Sequence, residues 1–437
     1  MRKLFISAIA LVMAAGSLSA KNLDEARIYL NPGHGSWGPN DRPMATIPYP
    51  NLAETQRPDT CGFYESNTNL WKVLKLGKTL EKMGARHENI MYSRTANGPF
   101  PYIKGAADAE KYNRNLSEIC EEVDANNMDF FLSVHSNAAS EGTNTNYPLF
   151  LYRGYDSHAD EYAQSSYEKA TTVWPYLKSN ELDPMTAYAT SMNIRGDIDF
   201  YHDSSDRVGS NGVTYTGYLG VLKHGCPGFL SEGYFHTYQP ARHRALNSDY
   251  CGQEGIRYAR GIAKYFGATG ENTGYIMGYV KDLHEKIDNP LFKYSVGSDD
   301  QWLPINEATV ELYKNGTKVD TYNVDNNYNG IFVFENLEPG EYTLNYIANE
   351  YKAPGEDYTK PVTVKANETT YVKAFLESEN YVPPVPDPIT YYNYPDPVQD
   401  GYLLPATQYN MTTAFDGNAI DVLADKTVRR SILRGDS

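Results

Sequence analysis

Residues 129–138 read DFFLSVHSNA. The apolar run FFLSV at 130–134 reads as a strand, and it ends on His135 amid the small residues Ser133, Ser136 and Ala138. Ligands in open α/β sheets gather at the carboxyl ends of strands, so a histidine there is placed to meet one. Working outward, RIYL (27–30), PLFLY (148–152) and GFLS (228–231) are further strand-like runs. Between them lie segments with helical periodicity. Segment 66–84 puts Leu70, Val73, Leu74, Leu80 and Met83 on one face and stops at Gly84. Segment 112–127 does the same with Leu116, Ile119, Cys120 and Val123, and segment 253–266 with Ile256, Ala259, Ala263 and Phe266. The alternation from Arg27 to Phe266 predicts an α/β fold, a sheet flanked by helices. The pattern loosens between Arg153 and Tyr218, with no long core stripe after the 160s, so residues of about 143–215 read as an insertion near the site.

From 274 to 377 the style changes to short alternating runs broken by turn residues, which predicts a small all-β sandwich following the α/β domain. Asn315-Gly316 marks a hairpin turn that needs positive φ. Residues 1–20 combine a basic start, an apolar run from Leu4 to Ala15 and small residues at Ser17, Ser19 and Ala20, the pattern of a secretory signal peptide. The division is then 1–20 signal peptide, 21–270 catalytic domain, 271–378 β-sandwich accessory domain, and 379–437 a Pro/Tyr-rich linker with an incomplete or docked C-terminal segment. Export to the periplasm or the extracellular side of the envelope follows, without a transmembrane segment.

The 437 residues carry a net charge of −16, which disfavours nucleic acid as a partner. Hydrophobic residues at 41% and charged residues at 22% exclude wholesale disorder, collagen and a coiled coil. Cys61, Cys120, Cys226 and Cys251 permit disulfides in an oxidising compartment, in any of three full pairings, or stand as buried free thiols.

Four short segments carry candidate chemistry: LNPGHGS with His34, GFYESNTNL with Glu65, SVHSNA with His135 and FLSEGYF with Glu232. Two histidines and a carboxylate make a three-ligand catalytic zinc set with a fourth position left for water, and a further glutamate would handle proton transfer. Their separations follow no compact ligand spacing, so each also has a structural reading. A histidine at a strand end is commonly a hydrogen-bonded structural residue, and Glu65 could simply favour a helix N-terminus. Glu232, directly after an apolar run, needs a partner if buried.

In order along the chain, NPGHG, Glu65 followed by a helix, YSR (92–94), Arg114 to Leu116, Ala125-Asn126, DFFLSVHSNA, LGVLKH (219–224) and FLSEGYF with its closing helix resemble the zinc-dependent N-acetylmuramoyl-L-alanine amidases of the amidase type 3 group. The resemblance covers about residues 26–267. It implies one zinc held by His34, Glu65 and His135, with Glu232 as the catalytic carboxylate. The implied substrate is peptidoglycan, cut at the amide between the lactyl group of N-acetylmuramic acid and L-alanine. The family's first motif usually begins with Asp where this chain has Asn31, which predicts that a carboxylate able to orient the ligand histidine is missing. Residues 330–344, GIFVFENLEPGEYTL, resemble carboxypeptidase-regulatory-like or transthyretin-like sandwiches, which position or bind rather than catalyse. His224 could orient substrate but reads better as structural, and His87, His158, His202, His236, His243 and His284 read as background. Two other functions stay open at this point: a peptidoglycan-binding protein with weak or no turnover, and a zinc hydrolase of another amide. The need for an activating protein partner also stays open.

Overall fold

The computed structural model describes residues 21–50, 62–100, 102–140, 142–184, 193–352 and 360–384. The signal-peptide segment, Cys61 and nearly all of 379–437 lie outside them. The described residues up to Tyr381 form one compact unit.

The strands are β1 (Ile28–Pro32), β2 (Ile90–Tyr92), β3 (Phe130–Asn137), β4 (Leu149–Tyr152), β5 (Ile194–Gly196), β6 (Ser205–Val208), β7 (Thr214–Gly217) and β8 (Gly228–Phe235). The helices are α1 (Glu65–Lys82), α2 (Ala107–Tyr112), α3 (Leu116–Ala125), α4 (Glu161–Lys178), α5 (Asp197–Tyr201), α6 (Gln239–Arg244) and α7 (Ser248–Tyr265). Six strands make one sheet in the order β2-β1-β3-β8-β4-β5, while β6 and β7 form a separate hairpin. Strands β2, β1, β3 and β8 run parallel, and β4 is antiparallel to β8.

Period-two alternation sorts the side chains into two cores. Ile28, Leu30, Phe130, Leu132, Val134 and Phe229 face one way and meet Val73 and Leu76 of α1, Val173 of α4 and Ile262 of α7. Tyr29, Phe131 and Leu230 face the other way and meet Ile119 and Val123 of α3. The result is three layers, as the α/β reading requires. Helices α1 and α7 lie very close: a Cβ on Gly255 would stand 2.1 Å from the Lys72 carbonyl oxygen.

The 143–215 segment differs from expectation. Far from being wholly an excursion, it supplies β4 and β5 to the main sheet and the 18-residue helix α4. Helix α4 does have a core stripe, Ala163, Ser166, Ala170, Val173 and Leu177. The stripe is made largely of small residues, which allow close packing yet give a weak hydrophobic signal.

Eight more strands follow: β9 (Gly274–Lys286), β10 (Trp302–Pro304), β11 (Thr309–Lys314), β12 (Thr317–Asn323), β13 (Ile331–Leu337), β14 (Gly340–Ile347), β15 (Val362–Val364) and β16 (Thr369–Leu376). One sheet pairs β10, β9, β13 and β16, and the other runs β12-β11-β14-β15. Between them lies a common core that includes Ile276, Val280, Val310, Leu312, Phe332, Phe334, Leu344 and Leu376. Asn315 and Gly316 connect β11 to β12 with φ of 52° and 77°, as the Asn-Gly pair predicts.

The sandwich meets the α/β layers through a buried surface. Leu182 and Tyr250 pack on Met277, Tyr279, Ile331 and Val333. Beside them the Asp300 carboxylate accepts from Tyr238 at 2.8 Å and from Arg244 at 2.6 Å, with Lys281 at 3.5 Å. Arg244 also pairs with Asp183.

Candidate metal centre

Strand register sets the floor of the site. Asn31 pairs with Ser133, and His135 with Glu232, so all four share the face that carries Phe131 and Leu230. His34 follows β1 in the NPGHGSW loop, where His34, Ser36 and Trp37 take φ of 59°, 61° and 58°. Three non-glycine residues in the left-handed region cost of order 1–3 kcal/mol each, so the surroundings must hold the loop. Arg94 does much of that. Its buried guanidinium donates to the carbonyls of Pro32, Gly33 and His34 at 3.2, 2.9 and 2.8 Å, and to that of Ser66 at 2.9 Å. One side chain thus ties the His34 loop to the first turn of α1.

Glu65 is the first residue of α1, whose opening amide at Ser66 is capped from elsewhere: Asp41 accepts from the Ser66 N–H at 2.5 Å and from its hydroxyl. Burial pushes the Asp41 carboxyl up to about 7. Gly33 is required by proximity, because a Cβ there would lie 2.1 Å from the His135 ring.

These elements bring His34, Glu65 and His135 together, with one ligand atom from each lying within 4.8 Å of the others. His34 Nε2 is 3.2 Å from Glu65 Oε2, and His135 Nδ1 is 3.1 Å from Glu65 Oε1. The two rings stand nearly perpendicular, at 77°, with centroids 5.1 Å apart. Bonds of about 2.1 Å to a tetrahedral zinc place ligand atoms about 3.4 Å apart, so this donor set fits such an ion. Glu65 is held firmly, its Oε1 accepting from the Ser136 N–H at 3.0 Å and from Asn69 at 3.3 Å. Burial opposes its ionisation, but His34 and His135 outweigh burial and hold the carboxyl well below its ordinary value. For His135 burial prevails and lowers its pKa. Behind His135, the buried Lys72 ammonium lies 3.0 Å from Glu254, donates to the His135 carbonyl at 3.3 Å and sits 4.4 Å over the Tyr234 ring.

Glu232 is partly exposed, and its Oε2 is shut off from solvent without a hydrogen-bond partner among the described residues. Burial and the neighbouring Glu65 carboxylate push its carboxyl up to about 8. An orphaned carboxylate oxygen beside a ligand cluster is a group that a bound water or substrate would satisfy. Next to the cluster opens a cleft of about 340 Å³, walled by Asn31, His34, Arg94, Arg114, His135 and Leu230 among others.

Asn31 does not serve a ligand histidine. It accepts from Ser93 at 2.6 Å and donates to Ser133 at 2.7 Å, so this position is part of a neutral chain between strands. His236, read from sequence as background, belongs to the site. Its Nδ1 is 3.0 Å from the Ser136 hydroxyl and 4.0 Å from Glu65 Oε2, and burial pushes its pKa down to about 4. The only sequence signal was its place just past FLSEGYF. His224 is fully buried, its ring centroid 4.3 Å from that of Phe131. His87, His158, His202, His243 and His284 do not join the cluster. Cys120, Cys226 and Cys251 are buried free thiols.

No family model and no curated protein matches the chain. Among solved structures it is similar to the N-acetylmuramoyl-L-alanine amidase AmiC2 of Nostoc punctiforme, at 20% identity over 56% of this chain and 98% of that one, with a TM-score of 0.35. It is also similar to the CwlD amidase from Clostridioides difficile in complex with the GerS lipoprotein (19%, 55% and 98%, TM-score 0.37). A third such structure is the N-acetylmuramyl-L-alanine amidase Ami1 from Mycobacterium smegmatis (15%, 56% and 99%, TM-score 0.39).

Proposed function

We propose that the chain is an exported zinc-dependent amidase that hydrolyses the amide between N-acetylmuramic acid and L-alanine in peptidoglycan. The observation that carries this reading is the convergence of His34, Glu65 and His135 at the carboxyl edge of the sheet, with Glu232 paired to His135 across β3 and β8. The choice of substrate rests on the ordered resemblance of residues 26–267 to the amidase type 3 group. Export to the periplasm or the extracellular envelope rests on residues 1–20. Among the described residues no helix is long and apolar enough to cross a membrane.

His34, Glu65 and His135 would hold the metal. A zinc ion there would supply Lewis acidity toward the scissile carbonyl and would lower the pKa of water to about 7. Glu232 takes the proton of the attacking water and delivers it to the departing L-alanine nitrogen, acting as general base and then general acid. Ser136, Asn69 and His236 keep the Glu65 carboxylate oriented, and Lys72 keeps the His135 backbone in place.

The test is digestion of intact peptidoglycan by the purified mature protein, with and without chelator. The expected result is new L-alanine amino termini without new sugar reducing ends, lost with chelator and restored by zinc. Release of other ends, or release that a chelator leaves untouched, would overturn the reading.

A further inference from the structure

The cleft beside His34 lies on the α3 side of the sheet. A second cavity, of about 360 Å³, lies on the α1 side, and the 33–49 loop contributes to both. Its walls include Trp37, Tyr49, Tyr64 and Trp71, together with Asn67 and Asn327. Two of these rings adjoin metal-ligand positions directly: Trp37 stands three residues after His34, and Tyr64 immediately precedes Glu65. They are locked in place. Trp37 and Tyr64 meet edge to face at 5.3 Å, Phe100 packs on both at 6.2 and 6.4 Å, and the Trp37 indole N–H donates to the Gly98 carbonyl at 3.1 Å.

Among the described residues no Asp, Glu, Lys or Arg lines this cavity, although the chain carries a net charge of −16. The described part of its wall thus offers phosphates and peptide carboxylates no counter-charge. Aromatic faces offer surfaces for the C–H faces of a sugar ring, and carboxamides offer both donors and acceptors for hydroxyl and acetamido groups. The volume falls at the lower end of the range for small-ligand sites. Building on the amidase reading, we infer that this cavity is a subsite for an N-acetylated sugar ring of the glycan strand, seated on the α1 side while the stem peptide occupies the α3-side cleft. Asn327 comes from the loop between β12 and β13, so the β-sandwich contributes directly to glycan recognition.

The experiment is titration of the zinc-loaded full chain with an N-acetylglucosamine tetramer, followed by tryptophan fluorescence and by saturation-transfer NMR. Wild type binds. Trp71→Ala weakens binding about tenfold and Asn327→Ala about threefold, while Trp71→Phe retains most of it. With a sugar-bearing muropeptide the same alanine variants raise KM and keep kcat. Thermal melts verify that each variant is folded, and Asn327, on a loop outside the α/β core, keeps the test decisive if Trp71→Ala does not fold. Absence of binding by wild type, or wild-type binding by the folded alanine variants, would overturn the inference. Tetramer binding as expected without any L-alanine termini from peptidoglycan would instead sink the amidase reading and leave the sugar subsite standing.

Discussion

The carboxyl edge of the six-stranded sheet and the interior of the β-sandwich make opposite use of buried space. At the sheet edge Glu65, Asp41, Arg94, Lys72, Glu254 and His236 are all buried. Each is held by a hydrogen bond or an ion pair to a neighbour. The sandwich core is built from aliphatic and aromatic side chains. Buried polar groups are costly unless satisfied, and once satisfied they fix geometry, whereas apolar packing supplies stability without directing chemistry. Changes at the sheet edge should therefore separate function from folding, and changes in the sandwich core should act on folding alone.

The largest expected effect is that of His135→Ala. It removes a proposed metal ligand, so on the zinc-amidase proposal peptidoglycan cleavage falls by at least about a thousandfold and bound zinc is lost. The thermal melt, measured without zinc, falls far less than activity, because the buried Glu65 carboxylate keeps Ser136, Asn69 and His34 as partners. Phe332→Ala is the counterpart in the sandwich. Truncating a fully buried ring costs about 3–5 kcal/mol in a denaturant titration, while zinc content and cleavage by the folded fraction are unchanged. A strong loss of cleavage in folded Phe332→Ala would break the contrast.

Gly33→Ala sharpens it from the other side. The added methyl competes for space with the His135 ring, so zinc affinity drops by about 10–100-fold with a smaller change in the melt. The smallest effect concerns His224, buried in the α3-side core with neither ring nitrogen hydrogen-bonded among the described residues. Burial pushes its pKa from the ordinary 6.5 down to about 3. The unfolded chain binds a proton below about pH 6.5 and the folded chain does not until about pH 3, so stability declines as pH falls through that window. At pH 5.5 the cost is about 1.4 kcal/mol, and His224→Phe removes that share of the acid sensitivity. His243, also pushed down to about 3, contributes in the same window.

Much of this architecture is legible in the sequence. The runs at 27–30, 130–134 and 228–231 each end near a candidate ligand or acid/base residue, because strand polarity and side-chain period together decide which residues meet at the sheet edge. The candidate ligand set comes instead from residue types and from the resemblance to the amidase type 3 group, since Glu65 opens a helix and ends no strand. What escapes is carried by contacts between distant segments or by residues with weak signals. Asp41 caps the first turn of a helix at Ser66, 25 residues later, and no local pattern points from one to the other. His236 reaches Glu65 only because β8 lies beside β3. Helix α4 hides its core face in alanines and a serine, so a real element reads as a polar excursion. Asn31 invites comparison with a carboxylate, yet its role is set by Ser93 and Ser133, neighbours that only the strand register discloses.

The most direct test of the central claim is Glu232→Gln, with zinc content and release of L-alanine amino termini measured on the same preparation. The arrangement of ligands and proton-transfer group predicts full zinc occupancy with release reduced by about 10²–10⁴-fold. Release at the wild-type rate, or loss of zinc together with activity, would contradict it.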